Sequence, residues 1–210
     1  MSTHLDLALN NIFIPSKTPS KKLMIILHGR GDSSAGFTFL PSYLNLDEIN
    51  YLLLDAPYEY FGGCSWYDLA PHQEEGIKRS SEILRDILDE LFEAQFSAEE
   101  SFLFGFSQGS LLTFEFGARY KKKLAGYLAI SGYIYNPTLL LEEMNPELKT
   151  ANWLCTHGTS DDVLPYANSE AQVKTLQEGG FDIAFKSYDK AHTLVEEELS
   201  MIKTWIKDKS

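Results

Sequence analysis

The sequence predicts an α/β fold: a mainly parallel central sheet covered by helices on both faces, in a single domain over residues 1–210, with no large lid domain. Three observations predict it. Short, near-continuous apolar runs recur along the chain, as strands buried on both faces require. Longer stretches of helical periodicity stand between them, the alternation that parallel strands joined by crossover helices need. The length of 210 residues, 44% of them hydrophobic and 23% charged, suits one domain with a sizeable core better than two. There is no internal repeat and no low-complexity stretch.

Taken in order, Leu5 to Ile14 is expected to add a sheet edge. The inner strands are expected at Leu23 to His28, Tyr51 to Asp55, Ser101 to Phe106, Leu124 to Ile130, Asn152 to Thr156 and Asp182 to Tyr188. The clearest helix is Gln73 to Ala94, where Ile83, Leu84, Ile87, Leu88 and Leu91 recur on one face and Glu82, Asp86, Asp89, Glu90 and Glu93 supply much of the other. Further helices are expected from about Gln108 to Tyr120, Tyr166 to Gln177 and Leu194 to Lys207. Ser97-Ala98-Glu99-Glu100 matches a capping box, but a strand-like run follows it, so a single turn is expected there.

Composition removes several classes of function. A formal charge of −12 and a pI near 4.8 argue against a nucleic-acid partner, which needs clustered Lys and Arg. No polybasic segment invites anionic lipid, and no run of about 18 apolar residues predicts a membrane span. The opening MSTHLDLALNNIFIPS lacks the basic and apolar regions of a signal peptide. Cys64 and Cys155 form neither a disulfide framework nor a metal-ligand spacing. A cytoplasmic protein with no metal and no cofactor is therefore expected; its oligomeric state is left open.

The residues that carry chemistry begin with GFSQGS at 105–110. Gly105 and Gly109 flank Ser107 at two residues on either side, where a side chain would collide across a sharp bend. A strand precedes the motif and a helix follows, the context in which G-x-S-x-G exposes a nucleophilic serine above the sheet's carboxyl edge. A serine hydroxyl needs a general base, and the base needs an orienting acid. Both residue types follow in the order this arrangement uses. HGTSDDVLP at 157–165 offers Asp161 or Asp162 past a strand end, the other being free to cap the next helix. His192 follows the last strand. The developing oxyanion needs donors. The backbone N–H of Gln108 is one candidate, and the glycine-bearing loop His28-Gly29-Arg30-Gly31-Asp32-Ser33 supplies the other. Neither G-x-G-x-x-G nor G-x-x-x-x-G-K-[ST] is present, so the loop fits an oxyanion hole better than a phosphate site.

These blocks resemble the α/β-hydrolase superfamily. More narrowly, LHGRGDS, GFSQGS, HGTSDDVLP and AHTL, with DAP and SWYDL between them, resemble the phospholipase/carboxylesterase family that includes acyl-protein thioesterases and small bacterial esterases. They span nearly the whole chain in family order. The resemblance implies an α/β-hydrolase fold with Ser107 as nucleophile, His192 as base and Asp161, four residues before Pro165, as acid. It also implies an oxyanion hole from the backbone N–H groups of Arg30 and Gln108. Four positions depart from the commoner pattern: Ser110 and Ala191 replace glycines, Asp162 a proline and Arg30 a large apolar residue. Only about twenty residues, 132–151, separate the strand after the serine turn from the next one, too few for a large lid. An open groove is expected instead, with Phe61, Trp66, Tyr67, Tyr133 and Ile134 as substrate-binding walls. The expected reaction is hydrolysis of small-molecule or acyl esters of short to medium chain through an acyl-enzyme. Thioesters and lysophospholipids are further substrates that the family admits. The alternative is a non-catalytic ligand-binding protein on a hydrolase scaffold.

Overall fold

The computed structural model describes residues 3–209; Ser210 lies outside the described residues, as do Met1 and Ser2, which open the stretch read above for a leader. In chain order the strands are β1 (Asn11–Ile14), β2 (Leu23–Leu27), β3 (Asn50–Leu54), β4 (Tyr58–Tyr60), β5 (Gly63–Ser65), β6 (Phe102–Phe106), β7 (Gly126–Ile130), β8 (Trp153–Gly158) and β9 (Ile183–Tyr188). The helices are α1 (Phe39–Leu44), α2 (Gln73–Ala94), α3 (Gln108–Gly117), α4 (Pro137–Glu143), α5 (Tyr166–Glu178) and α6 (Glu196–Lys209). Seven strands form one sheet in the order β1-β3-β2-β6-β7-β8-β9. β1 runs antiparallel to β3, and the other neighbours are parallel.

Double coverage is written into β2. Leu23, Ile25 and Leu27 face a core shared with Leu84, Leu88 and Leu91 of α2, Leu111 and Leu112 of α3, and Val173 and Leu176 of α5. Met24 and Ile26 face the opposite core, closed by Leu40 and Leu44 of α1 and Leu199, Ile202 and Ile206 of α6. All five strand residues are buried, so a run without alternation marks a strand covered on both sides. Trp153 anchors the larger core, stacked on Tyr127 at 4.1 Å and on Phe114 at 5.5 Å.

The long helix runs from Gln73 to Ala94, and Ser97 to Glu100 closes as a single 3-10 turn. α3 stops at Gly117 rather than Tyr120. The last helix starts at Glu196, because residues 190–193 are held in a loop by the Lys190 ammonium described below. The segment 132–151 folds as α4 and a 3-10 turn at Pro146–Thr150. Asn136 accepts from the Leu139 N–H and Pro137 opens α4, a start that needs no neighbouring domain. No helix among the described residues is long and apolar enough to cross a membrane.

The small hairpin β4–β5 positions the loop after β2. Phe61 and Gly62 turn it, both with positive φ (45° and 88°). The Gly31 N–H then donates to the Cys64 carbonyl and the Cys64 N–H to that of Asp32, at 2.8 and 2.7 Å. A Cβ on Gly63 would sit 2.1 Å from the Gly31 oxygen, so only glycine lets hairpin and loop approach this closely.

Candidate active site

Ser107 stands at the bend between β6 and α3 with φ 55° and ψ −111°, a conformation that costs a non-glycine residue roughly 1–3 kcal/mol. Its neighbours make the bend possible. A Cβ on Gly105 would lie 2.1 Å from the Gly109 carbonyl oxygen, and one on Gly109 would lie 2.2 Å from that of Leu27. The Ser107 N–H donates to the Ile130 carbonyl at 2.9 Å. Its hydroxyl makes no capping bond to α3 and points instead to His192.

The His192 Nε2 lies 2.9 Å from Ser107 Oγ, and its Nδ1 lies 2.8 Å from Asp161 Oδ2. Asp161 is buried, and burial alone would raise its pKa. The N–H of Leu164, the facing His192 and the N–H of Val163 outweigh that and hold it below the ordinary value. An ionised carboxylate only accepts, so the proton between Asp161 and His192 resides on Nδ1. Nε2 is left as the acceptor for the serine hydroxyl. Asp161, not Asp162, thus reaches the histidine. Asp162 does not cap α5 either: Pro165 precedes that helix and no side chain caps it.

The loop after β2 is built around His28. This buried ring donates from Nδ1 to the Gly29 carbonyl at 2.6 Å and accepts the Ala56 N–H on Nε2 at 3.1 Å. Burial lowers its pKa, so it stays neutral and its tautomer is fixed by its two partners. The N–H groups of Gly31 and Asp32 are spent on Cys64 and Gly29, while that of Arg30 has no part in this network. The Gln108 N–H opens α3 and has no intrahelical partner. Gln108's side chain is committed elsewhere. It accepts from the Trp66 N–H and the Ser65 hydroxyl and donates to the Tyr67 carbonyl, at 2.9, 3.2 and 2.8 Å.

A cleft of about 350 Å³ opens over Ser107. Tyr67 and Tyr133 line it, as do Arg30 and Gln108, and Leu69, Val163, Leu164 and Pro165 add apolar wall. Three residues expected in that wall are elsewhere. Trp66 is fully buried beneath the site, its Nε1 donating to the His28 carbonyl at 2.9 Å. Ile134 is packed in the core and offers only a backbone N–H, to Gln172 at 3.0 Å. Phe61 is 92% exposed at the hairpin tip and stacks edge-on against Tyr60 outside the cleft. Trp66 and Ile134 each lie next in the chain to a residue that does line the cleft, Tyr67 and Tyr133.

Several supporting residues carry no sequence signal of their own. The Nε2 of His157 lies 2.8 Å from the Leu164 carbonyl and 3.4 Å from Asp161 Oδ2. The Lys190 ammonium is completely buried and bonds both oxygens of Glu198 at 2.7 Å, with the Ser131 hydroxyl and the Thr193 carbonyl at 2.9 Å. A lysine two residues before His192 reads as a surface residue; here it ties the histidine loop to β7 and α6. Among the described residues no group of three or more His, Cys, Asp or Glu side chains is arranged to hold a metal.

Residues 10–210 match the phospholipase/carboxylesterase family. The chain is 30% identical to acyl-protein thioesterase 1 of Candida albicans, over 96% of this chain and 98% of that protein. It is 26% identical to a carboxylesterase of Arabidopsis thaliana, over 90% of each. Among solved structures, the Bacillus cereus carboxylesterase superposes with a TM-score of 0.83 over 98% of this chain and 96% of that one, at 18% identity, a likeness of fold.

Proposed function

The chain belongs to the phospholipase/carboxylesterase family, and from that premise we propose that it is a serine hydrolase cleaving carboxylic esters of short to medium acyl chains, with Ser107, His192 and Asp161 as its catalytic residues. One observation carries this reading: the unbroken hydrogen-bonded series Ser107 Oγ–His192 Nε2 and His192 Nδ1–Asp161 Oδ2, at 2.9 and 2.8 Å, opening onto a cleft. Ser107 Oγ attacks the ester carbonyl while its proton passes to His192 Nε2. Asp161 stabilises the imidazolium that results. The tetrahedral oxyanion is held by the backbone N–H groups of Arg30 and Gln108. His192 returns the proton to the departing alcohol, leaving an acyl-serine, and water activated by the same imidazole releases the acid. A thioester passes through the same intermediate, with a thiol departing.

The apolar cleft wall suits an acyl chain of limited length. The whole of residues 1–210 acts as one domain in this reading, in a cytoplasmic setting that suits the unpaired Cys64 and Cys155. The family does not favour the alternative of a non-catalytic binding protein. Intact mass after exposure to a fluorophosphonate, with peptide mapping, tests the proposal. A single adduct on Ser107 is expected. Folded protein that takes no adduct, or takes it elsewhere, would overturn the assignment.

A further inference from the structure

Arg30 is the one formally charged side chain among the described residues lining the cleft over Ser107. In a chain with 30 acidic and 18 basic residues, a cation normally finds a carboxylate. Among the described residues, Arg30 forms no ion pair. Its guanidinium lies over the Tyr60 ring, 4.1 Å from the centroid. The ring face attracts the charge but gives the guanidinium N–H donors no oxygen acceptor. One of them, Nε, is buried without a hydrogen-bond partner. The Tyr67 hydroxyl is buried in the same cleft, with the Tyr133 hydroxyl as its neighbour and the Arg30 charge also acting on it. A buried donor without an acceptor, as Arg30 Nε is, is costly unless something brings the acceptor.

We propose that Arg30 and the Tyr67 hydroxyl form a carboxylate subsite beside Ser107, so that the preferred substrates are esters bearing one carboxylate, such as half-esters of dicarboxylic acids. The guanidinium edge matches a carboxylate with two parallel bonds, and the phenol adds a third donor. Because the Arg30 side chain and its own N–H, proposed for the oxyanion hole, leave the same Cα, the carboxylate lies within one arginine side-chain length of the scissile carbonyl. The apolar remainder of the wall then holds the neutral end of the substrate.

The inference rests on the hydrolase reading, and its test separates the two. In wild-type protein the kcat/KM for mono(4-nitrophenyl) glutarate is expected to exceed that for 4-nitrophenyl butyrate by about tenfold or more. The ratio should fall at least tenfold in Arg30→Met and further in Arg30→Glu. Any shift of the Arg30 backbone affects both esters and cancels in the ratio. 4-Carboxyphenyl butyrate, with its charge on the leaving group, tells which end faces Arg30. Binding is read independently of turnover in Ser107→Ala protein by calorimetry. There monomethyl glutarate is expected to bind at least tenfold more tightly than dimethyl glutarate, and Arg30→Met is expected to remove the difference. Turnover of the neutral ester with no preference for any anionic one, and equal binding of the two glutarates, would overturn the subsite and leave the hydrolase standing. Absence of a Ser107 adduct alongside a ten-fold binding preference would overturn the hydrolase and leave the subsite standing.

Discussion

Replacing Lys190 with methionine keeps most of the side-chain length and removes only the ammonium. In the native protein that ammonium and the Glu198 carboxylate are both fully buried, with the nitrogen 2.7 Å from each oxygen. After the substitution, Glu198 keeps one donor, the Thr156 hydroxyl at 2.5 Å, and has no counter-charge. Breaking a buried pair on one side costs about 3–5 kcal/mol, because the remaining charge can neither reach water nor find a partner. In a chain of this length that corresponds to a fall of roughly 6–20 °C in Tm. Urea unfolding followed by circular dichroism measures it directly. The decisive comparison is the double variant K190M/E198Q, which removes both charges and is expected to recover at least half of the loss. A coupling of about 2 kcal/mol or more should therefore appear in the double-mutant cycle. If Lys190→Met lies within about 1 kcal/mol of wild type, or if the double variant is as unstable as the single variants summed, the account of a desolvated, mutually dependent pair is refuted.

Three further outcomes are expected. Ser107→Gly should unfold at higher urea than Ser107→Ala, by about 1 kcal/mol or more, since glycine accepts φ 55° without the cost that alanine bears; both should take no fluorophosphonate. Gly109→Ala should destabilise by about 1–3 kcal/mol in thermal unfolding although alanine is the better helix former by roughly 1 kcal/mol, because the new Cβ would meet the Leu27 carbonyl oxygen at 2.2 Å. Asp161→Asn should lower kcat on the order of 10⁴-fold by favouring the wrong imidazole tautomer. It should also change the pH dependence of stability. A carboxylate whose folded pKa is depressed stabilises fully above its unfolded value of about 3.9, and that increment is lost as pH falls through the folded pKa. Urea midpoints of wild type and Asp161→Asn should thus keep a constant gap above about pH 5 and draw together in more acidic buffer.

The sheet was legible because its strands are covered on both faces. Leu23 to Leu27 is buried at every position, and such a run needs no periodicity to be recognised. α2 was legible for the opposite reason, a 22-residue helix with one wet face. The elements that escaped are short. α1 spans six residues, one of them Pro41, too few for a helical period to declare itself. The β4–β5 hairpin turns on Phe-Gly rather than the Asn-Gly or Asp-Gly that usually marks positive φ at both central positions. That Ser107, Asp161 and His192 meet at one edge of the sheet could be anticipated because each lies in a distinctive block beyond a strand end. Trp66 and Ile134 were misplaced because a loop's composition says which residues are apolar but not which way each one faces. Lys190 and Glu198 were invisible for a deeper reason. Either residue alone belongs on the surface, and only their meeting across the α6 loop makes burial tolerable.

The same meeting bears on how the serine bend is held. Ser107 keeps an unfavourable backbone conformation while its hydroxyl declines the capping bond that a residue at a helix N-terminus commonly makes. Both costs must be offset by what surrounds the bend. The Ser107 N–H is taken by Ile130 and its carbonyl by the Leu111 N–H. The glycine contacts at Gly105 and Gly109 leave the chain no room to relax. The hydroxyl's one partner comes from another loop, and that loop is fixed by Lys190 through Thr193 and through Ser131, next to Ile130 in the chain. Ser131 itself has a positive φ of 48°, so a second strained residue sits beside the first and is tied to the same ammonium. Serine bend and histidine loop are therefore constrained through shared neighbours. Loosening the buried ion pair should spread to the Ser107–His192 distance before it unfolds the sheet, and kcat should fall in Lys190→Met at temperatures where circular dichroism still reports a native fold.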